Sequence, residues 1–169
     1  ARAAVLFGGI PDRGEAPITD TFVLRGERWA PVVGEVPPGL GPLAYDSSRE
    51  ELITLLTTGD VWAFDGDAWV QRPVPRPTTT GGGPIAFDPL RERLVAVQGS
   101  ETWFLQNDAW TRGPDAPLAG VRYFDGRNAG AGAVVAYDGV NHVVGLYGKE
   151  PGGGGALYAL DDDSGADVG

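Results

Sequence analysis

Short apolar runs separated by turn-forming residues make up most of the chain. The stretch from 83 to 113 shows this most clearly, with "GPIAFD", "RLVAVQG", "ETWFLQ" and "AWTRG" in succession. Each run is rich in β-branched or aromatic residues and is bounded by Gly, Pro, Asp or Asn, which is typical of β-strands joined by tight turns. No segment longer than ten residues shows a helical period. The pattern therefore predicts an all-β chain.

The pattern of runs returns about every forty residues, which is the range expected of structural repeats. Three tryptophans are spaced 40 and 41 residues apart, namely Trp29, Trp69 and Trp110. An aromatic residue precedes each of them by seven positions, namely Phe22, Trp62 and Trp103. An aromatic residue followed by aspartate also recurs, as Tyr45-Asp46, Phe87-Asp88 and Tyr137-Asp138. The repeats align over most of the chain.

A full repeat predicts four strands, a to d, with tight a–b turns after the recurring aspartate and tight c–d turns such as "DGDA". Four-stranded antiparallel units of this length are typical of β-propeller blades. Side chains alternate between the two faces of a blade, and each face packs on a neighbouring blade. The recurring tryptophans are therefore expected in the core between blades. The alternative is that one of them forms an exposed ligand platform.

The repeats resemble those of the bacterial kelch-type proteins, in degenerate form. The resemblance lies in "VLFGG", the aromatic–Asp pairs, "VWAFDGDAW" and "TWFLQNDAW", and it covers almost the whole chain. At the place in the repeat where the family has a double glycine, only the first unit has one, as Gly8-Gly9. The other units have "TTG", "QGS" and "YGK" at that place. Membership of this family would imply a propeller of four-stranded blades. The copper oxidases of the kelch type depend on a Cys-linked Tyr, and the chain has no Cys.

About 3.5–4 blades are predicted in one propeller portion. The blade units are approximately 1–41, which lacks the first strand, 42–83, 84–132, and 133–169, which lacks the last strand. The two ends overlap instead of supplying complementary strands to one blade. This favours a part of a larger ring, of about six or seven blades, over a closed ring of four. An open ring has edge strands that favour pairing with more chain or another subunit.

The predicted long connections all lie at one end of the strands. Within them, 113–132 contains a cluster that no strand pattern requires: Arg122, Tyr123, Phe124, Asp125 and Arg127. Aromatic residues with arginine are common anchors of interfaces, so these five are the candidate contacts for a ligand or partner. The alternative is that Tyr123 and Phe124 fold back and plug the end of the propeller.

Other candidate sites have a structural interpretation beside the functional one. Asp161, Asp163 and Asp167 surround a Gly bend and are a weak candidate for calcium, the alternative being a solvated acidic tail. His142, the single histidine, lies in a predicted a–b turn and is expected to be an exposed turn residue. Asp46, Asp88 and Asp138 are expected to cap their turns. No catalytic or cofactor-binding residue is predicted.

Composition narrows the classes of partner. The net charge is −10 with 13 basic residues scattered along the chain, which argues against nucleic acid. No apolar run approaches the length of a transmembrane helix, so the chain is not expected to span a membrane. The acidic, lysine-poor composition and the resemblance to secreted bacterial kelch proteins favour an extracytoplasmic location.

The sequence favours a non-catalytic protein- or glycan-binding or assembly module that presents long loops on one propeller face. One alternative is the propeller portion of a glycan-active secreted enzyme, which would need two inward carboxylates beside aromatic residues. The other alternative is a structural subunit of a larger multi-protein complex.

Overall fold

The computed structural model describes residues 3–9, 16, 18–77, 82–117, 133–149 and 155–160. Within these residues the chain forms fourteen β-strands and no helix, which confirms the predicted all-β class. The strands are β1 (Val5–Gly9), β2 (Ile18–Arg25), β3 (Arg28–Pro31), β4 (Leu43–Asp46), β5 (Glu51–Leu55), β6 (Val61–Phe64), β7 (Trp69–Arg72), β8 (Ile85–Asp88), β9 (Arg93–Gln98), β10 (Glu101–Gln106), β11 (Ala109–Asp115), β12 (Val134–Asp138), β13 (Val143–Lys149) and β14 (Gly155–Leu160). A helix long and apolar enough to cross a bilayer is accordingly not found in the described part.

The strands form four antiparallel sheets in chain order, and within each sheet every strand pairs with the next one along the chain. Sheet 1 contains β1–β3, sheet 2 contains β4–β7, sheet 3 contains β8–β11 and sheet 4 contains β12–β14. Sheets 2 and 3 have four strands each, and sheets 1 and 4 have three strands each among the described residues.

The Asp-Gly turn between β6 and β7 shows why the sequence forms such tight hairpins. Gly66 has a φ of +107°, in a region that residues with a Cβ rarely adopt. The Asp65 carboxylate accepts hydrogen bonds from the backbone amides of Asp67 and Ala68, both at 2.9 Å. The Ala68 amide is the main cause that lowers the pKa of Asp65 below its ordinary value. The turn brings Trp69 directly opposite Phe64 in the hairpin.

Successive sheets pack face to face through three apolar clusters. Sheets 1 and 2 share the cluster of Val23, Leu56, Trp62, Phe64 and Trp69. Sheets 2 and 3 share the cluster of Ala44, Ile53, Leu55, Val61, Ile85, Phe87, Leu94, Ala96 and Trp103. Sheets 3 and 4 share the cluster of Ala86, Val95, Val97, Val135, Val144 and Leu146. Sheets 2 and 3 are therefore covered on both faces, whereas the described residues cover only one face each of sheets 1 and 4.

The first strands of sheets 2, 3 and 4 also lie next to one another. Strand β8 contacts β4 on one side and β12 on the other, without pairing into a common sheet. Such an arrangement is compatible with sheets that radiate from an axis. The closed or partial propeller itself stays a prediction.

The prediction that the five tryptophans are core residues is confirmed for three, holds in part for one and is wrong for one. Trp62, Trp69 and Trp103 are buried, and Trp110 is partly buried against the cluster of sheets 2 and 3. Trp29 is 50% exposed. The reason is its position, because the tryptophans of sheets 2 and 3 face the preceding sheet and no described sheet precedes sheet 1.

The connection after β11 begins later than the sequence predicts, because the strand extends further along the chain. Strand β11 continues to Asp115, so the connection predicted from 113 begins after that residue. Its backbone pairing runs past Gly113 and Pro114, which suggest a strand end.

Candidate functional site

The two ends of the sheets differ in the length of their connections. At one end the strands are joined by turns of two to four residues, at 26–27, 47–50, 65–68, 89–92, 107–108 and 139–142. At the other end are the connections at 10–17, 32–42, 73–84 and 116–133, beside shorter ones at 56–60, 99–100 and 150–154. Here these are called the short-turn end and the long-loop end. The prediction that the longest connections share one end agrees with this strand order.

An ion pair holds part of the long-loop end in place. The Arg76 guanidinium donates to both carboxylate oxygens of Asp60, at 3.0 Å from Nε to Oδ1 and 3.1 Å from Nη2 to Oδ2. The Thr58 hydroxyl donates to Asp60 Oδ2 at 2.7 Å, and it is the main cause that lowers the pKa of Asp60, with Arg76 contributing. Planar two-point pairing of this kind fixes orientation. It ties the segment after β7 to the connection between β5 and β6.

The predicted contact residues lie in the connection between β11 and β12. Arg122, Tyr123, Phe124, Asp125 and Arg127 are all outside the described residues. The end of β11 and the start of β12, which flank this segment, lie at the long-loop end. Contact and plugging both stay predictions.

The weak calcium candidates, Asp161, Asp163 and Asp167, are likewise outside the described residues. A group of three or more His, Cys, Asp or Glu side chains able to hold a metal is not found in the described part of the chain. Calcium at the acidic segment therefore stays a prediction.

The short-turn end repeats one hydrogen-bond arrangement in three sheets. Each recurring aspartate accepts through Oδ1 from the backbone amides two and three residues later. The distances are 2.8 and 3.1 Å for Asp46, 3.2 and 3.2 Å for Asp88, and 2.8 and 3.2 Å for Asp138. Oδ2 accepts from Arg49, Arg91 and Asn141 respectively. The prediction that these aspartates cap their turns is confirmed.

His142 has a structural place in the same arrangement. It is exposed, and its φ of 58° matches those of Glu50 and Glu92 at the same position of the other two turns. Its Nδ1 lies 2.9 Å from the Tyr137 hydroxyl oxygen. The prediction of an exposed turn residue is confirmed.

Asp138 offers a direct test of the turn. Its pKa lies below the ordinary value, chiefly because the Asn141 side chain donates to it. A carboxyl with a depressed folded pKa stabilises the fold above its unfolded pKa of about 3.9, and the contribution is lost as pH falls through the folded pKa. We expect Asn141→Ala to raise the pKa of Asp138 and to reduce stability at neutral pH but not at the lowest pH.

The measurement is a carboxyl ¹³C NMR titration together with urea unfolding at several pH values. His142→Asn is the control, because the charge of His142 is the smallest cause of the lowered pKa and asparagine tolerates positive φ. An equal rise of the Asp138 pKa in both variants would contradict the assignment to Asn141.

A cleft opens between sheets 2 and 3 towards the short-turn end. Arg72 forms an ion pair with the buried Glu51 across sheet 2, and Arg49 and Asp108 lie at the same cleft. Its free volume is about 20 Å³, which is room for a water molecule or two. Ligand pockets are usually roughly 300–1,000 Å³. This cleft is therefore an internal polar contact and too small for an organic ligand.

Two side-chain pairs that join distant segments of sheet 2 could not be predicted from the sequence, Glu51 with Arg72 and Asp60 with Arg76. Their partners are separated by 21 and 16 residues. The first pair can be recognised only once the register is known, since β6 must be aligned with both β5 and β7.

Comparisons with known proteins show the fold and no more. No family model matches the chain, and the comparison with curated proteins finds no match. A structural genomics protein of unknown function from Bacteroides thetaiotaomicron superposes with a TM-score of 0.54 at 14% identity, covering 83% of this chain and 38% of that one. The complex of the fission yeast SREBP-SCAP binding domains gives a TM-score of 0.46 at 13% identity, covering 96% of this chain and 50% of that one. The chain thus spans half or less of the length of these two structures.

Proposed function

We propose that the chain is a portion of a kelch-like β-propeller and acts as a non-catalytic module that binds a protein or glycan partner. Four successive sheets of the same repeat, packed face to face with adjacent first strands, support the propeller portion. The likeness to a longer structure supports a larger ring. Extracytoplasmic placement follows from the acidic, lysine-poor composition.

The observation that carries the binding role is the difference between the two ends of the sheets. Long connections held on a packed scaffold are where binding residues are usually found. The long-loop end has four such connections, and the Asp60–Arg76 pair fixes one of them to sheet 2. The short-turn end uses its recurring aspartates to close turns. The partner is therefore assigned to the long-loop end.

The described buried carboxylates support a non-catalytic role. Asp46 and Asp88 each accept two turn amides, and Glu51 pairs with Arg72. A carboxylate committed to such bonds has a structural task. A glycan-active site would instead use two carboxyl groups roughly 5–9.5 Å apart that face the substrate.

The proposal is tested by screening the chain on a glycan array and by pull-down from extracts of bacterial surfaces. We expect binding without turnover. For any partner found, the double variant Tyr123→Ala with Phe124→Ala should weaken binding at least about tenfold and leave the melting temperature nearly unchanged.

The matched control is Leu90→Ala with Val140→Ala, which removes two exposed apolar side chains at the short-turn end. It should leave binding unchanged. Hydrolysis of any bound glycan would overturn the non-catalytic role. A large loss of stability in the Tyr123 and Phe124 variant would instead support the plug.

A further inference from the structure

Sheet 1 exposes an apolar surface on the side away from sheet 2. Val23 packs towards sheet 2, so its neighbours Phe22 and Leu24 point to the opposite side. Leu6 lies opposite Phe22, and Trp29 lies opposite Leu24, which puts all four on one face. Leu6 and Trp29 are both about half exposed. These four residues are here called the leading face.

Sheet 4 exposes an apolar surface on the side away from sheet 3. Val135 and Leu146 pack towards sheet 3, so Val134 and Tyr147 point to the opposite side. Val134, Tyr147 and Leu157 lie opposite one another across the three strands. Tyr147 is 54% exposed and Leu157 is 75% exposed. These three residues are here called the trailing face.

The leading face has the same position in its sheet as surfaces that are buried elsewhere in the chain. Trp29 lies opposite Leu24 as Trp69 lies opposite Phe64 and Trp110 lies opposite Leu105. In sheet 2 this surface packs on sheet 1, and Trp69 is only 3% exposed there. The leading face of sheet 1 is thus of the kind that meets a preceding sheet.

The trailing face also has buried counterparts. Val143 pairs with Asp138, and Tyr147 lies four residues after Val143. In the same way Glu51 pairs with Asp46, and Leu55 lies four residues after Glu51. Leu157 lies opposite Tyr147 as Val61 lies opposite Leu55. Leu55 and Val61 are each 1% exposed, because they pack on sheet 3. The trailing face of sheet 4 is thus of the kind that meets a following sheet.

We propose that the leading face of one copy of this chain packs on the trailing face of a second copy. Sheets 1 and 2, and again sheets 2 and 3, pack in one way. The later sheet contributes the surface that corresponds to the leading face, and the earlier sheet contributes the surface that corresponds to the trailing face. Among the described residues, every copy carries one uncovered surface of each kind, so two copies supply complementary faces in a head-to-tail contact. This continues an interface that the chain already forms within itself, and it does not depend on the partner at the long-loop end.

The test is sedimentation equilibrium of the chain at up to about 100 µM, where contacts of micromolar strength are populated. The wild type should be heavier than one copy. Trp29→Glu on the leading face and Leu157→Glu on the trailing face should each be monomeric. Val33→Glu, at an exposed connection, is the control and should associate as the wild type does. Circular dichroism melting of each variant checks that it is folded.

The decisive experiment mixes the two blocked variants in equal amounts. One pair of intact faces remains between them, so the mixture should form a dimer of one copy of each and nothing larger. A monomeric wild type at the highest concentration would overturn the proposal. A mixture that stays monomeric would also overturn it. So would self-association of the Leu157→Glu variant, because that association would require two leading faces to meet.

Discussion

Replacing Trp69 by alanine is expected to lower the free energy of unfolding by about 4 kcal/mol. The side chain is buried between sheets 1 and 2, with its ring centroid 5.0 Å from that of Phe7 and 5.2 Å from that of Phe64. Its Nε1–H donates to Thr21 Oγ1 at 2.8 Å across the two sheets. Truncation leaves a large cavity and a buried hydroxyl without this donor. For a domain with roughly 5–15 kcal/mol of stability, the loss is a large fraction of the total.

The experiment is urea unfolding followed by far-ultraviolet circular dichroism. Trp69→Phe keeps an aromatic ring and removes the donor, so it should cost about 1–2 kcal/mol and remain measurable if the alanine variant does not fold. Val70→Ala, at the exposed next position of β7, should change stability by less than about 0.5 kcal/mol. A Trp69→Ala loss as small as that of Val70→Ala would show that the packing of sheet 1 on sheet 2 contributes little to stability.

Local pattern was sufficient to predict the strands, because both their side-chain chemistry and their turn residues are local. The recurring aspartates could also be assigned, since each one caps its turn within three residues of its own position. Strand ends were less accurate, as at Asp115, because backbone pairing continues past residues that usually end a strand.

The sequence could not predict which copies of a recurring residue are covered. Trp29 and Trp69 occupy the same place in their repeats, and only the presence of a preceding sheet separates them. The pairing of Glu51 with Arg72 likewise depends on the register of β6 with β5 and β7. The exposure of residues in sheets 1 and 4 thus depends on how the sheets are arranged. For this reason the leading and trailing faces could be identified only from the structure.

Replacing Asp88 by alanine is expected to lower the free energy of unfolding by about 3 kcal/mol, an effect far larger than that of an ordinary surface carboxylate. The Asp88 side chain is buried, accepts the amides of Leu90 and Arg91, and lies 3.3 Å from Arg91 Nη1 and 3.4 Å from Arg93 Nε. Alanine leaves these turn amides without their acceptor and removes the negative charge between two guanidinium groups.

Two further variants separate the hydrogen bonds from the charge. Asp88→Asn keeps one oxygen for the turn amides and loses the charge, so it should cost about 1 kcal/mol. Asp67→Ala removes an exposed carboxylate that pairs with Arg25 at 2.7 Å, and it should cost less than about 1 kcal/mol because exposed ion pairs contribute little. Chemical unfolding of the three variants beside the wild type gives the order. Equal losses for Asp88→Ala and Asp67→Ala would contradict the capping role, since that role requires burial and the two turn amides together.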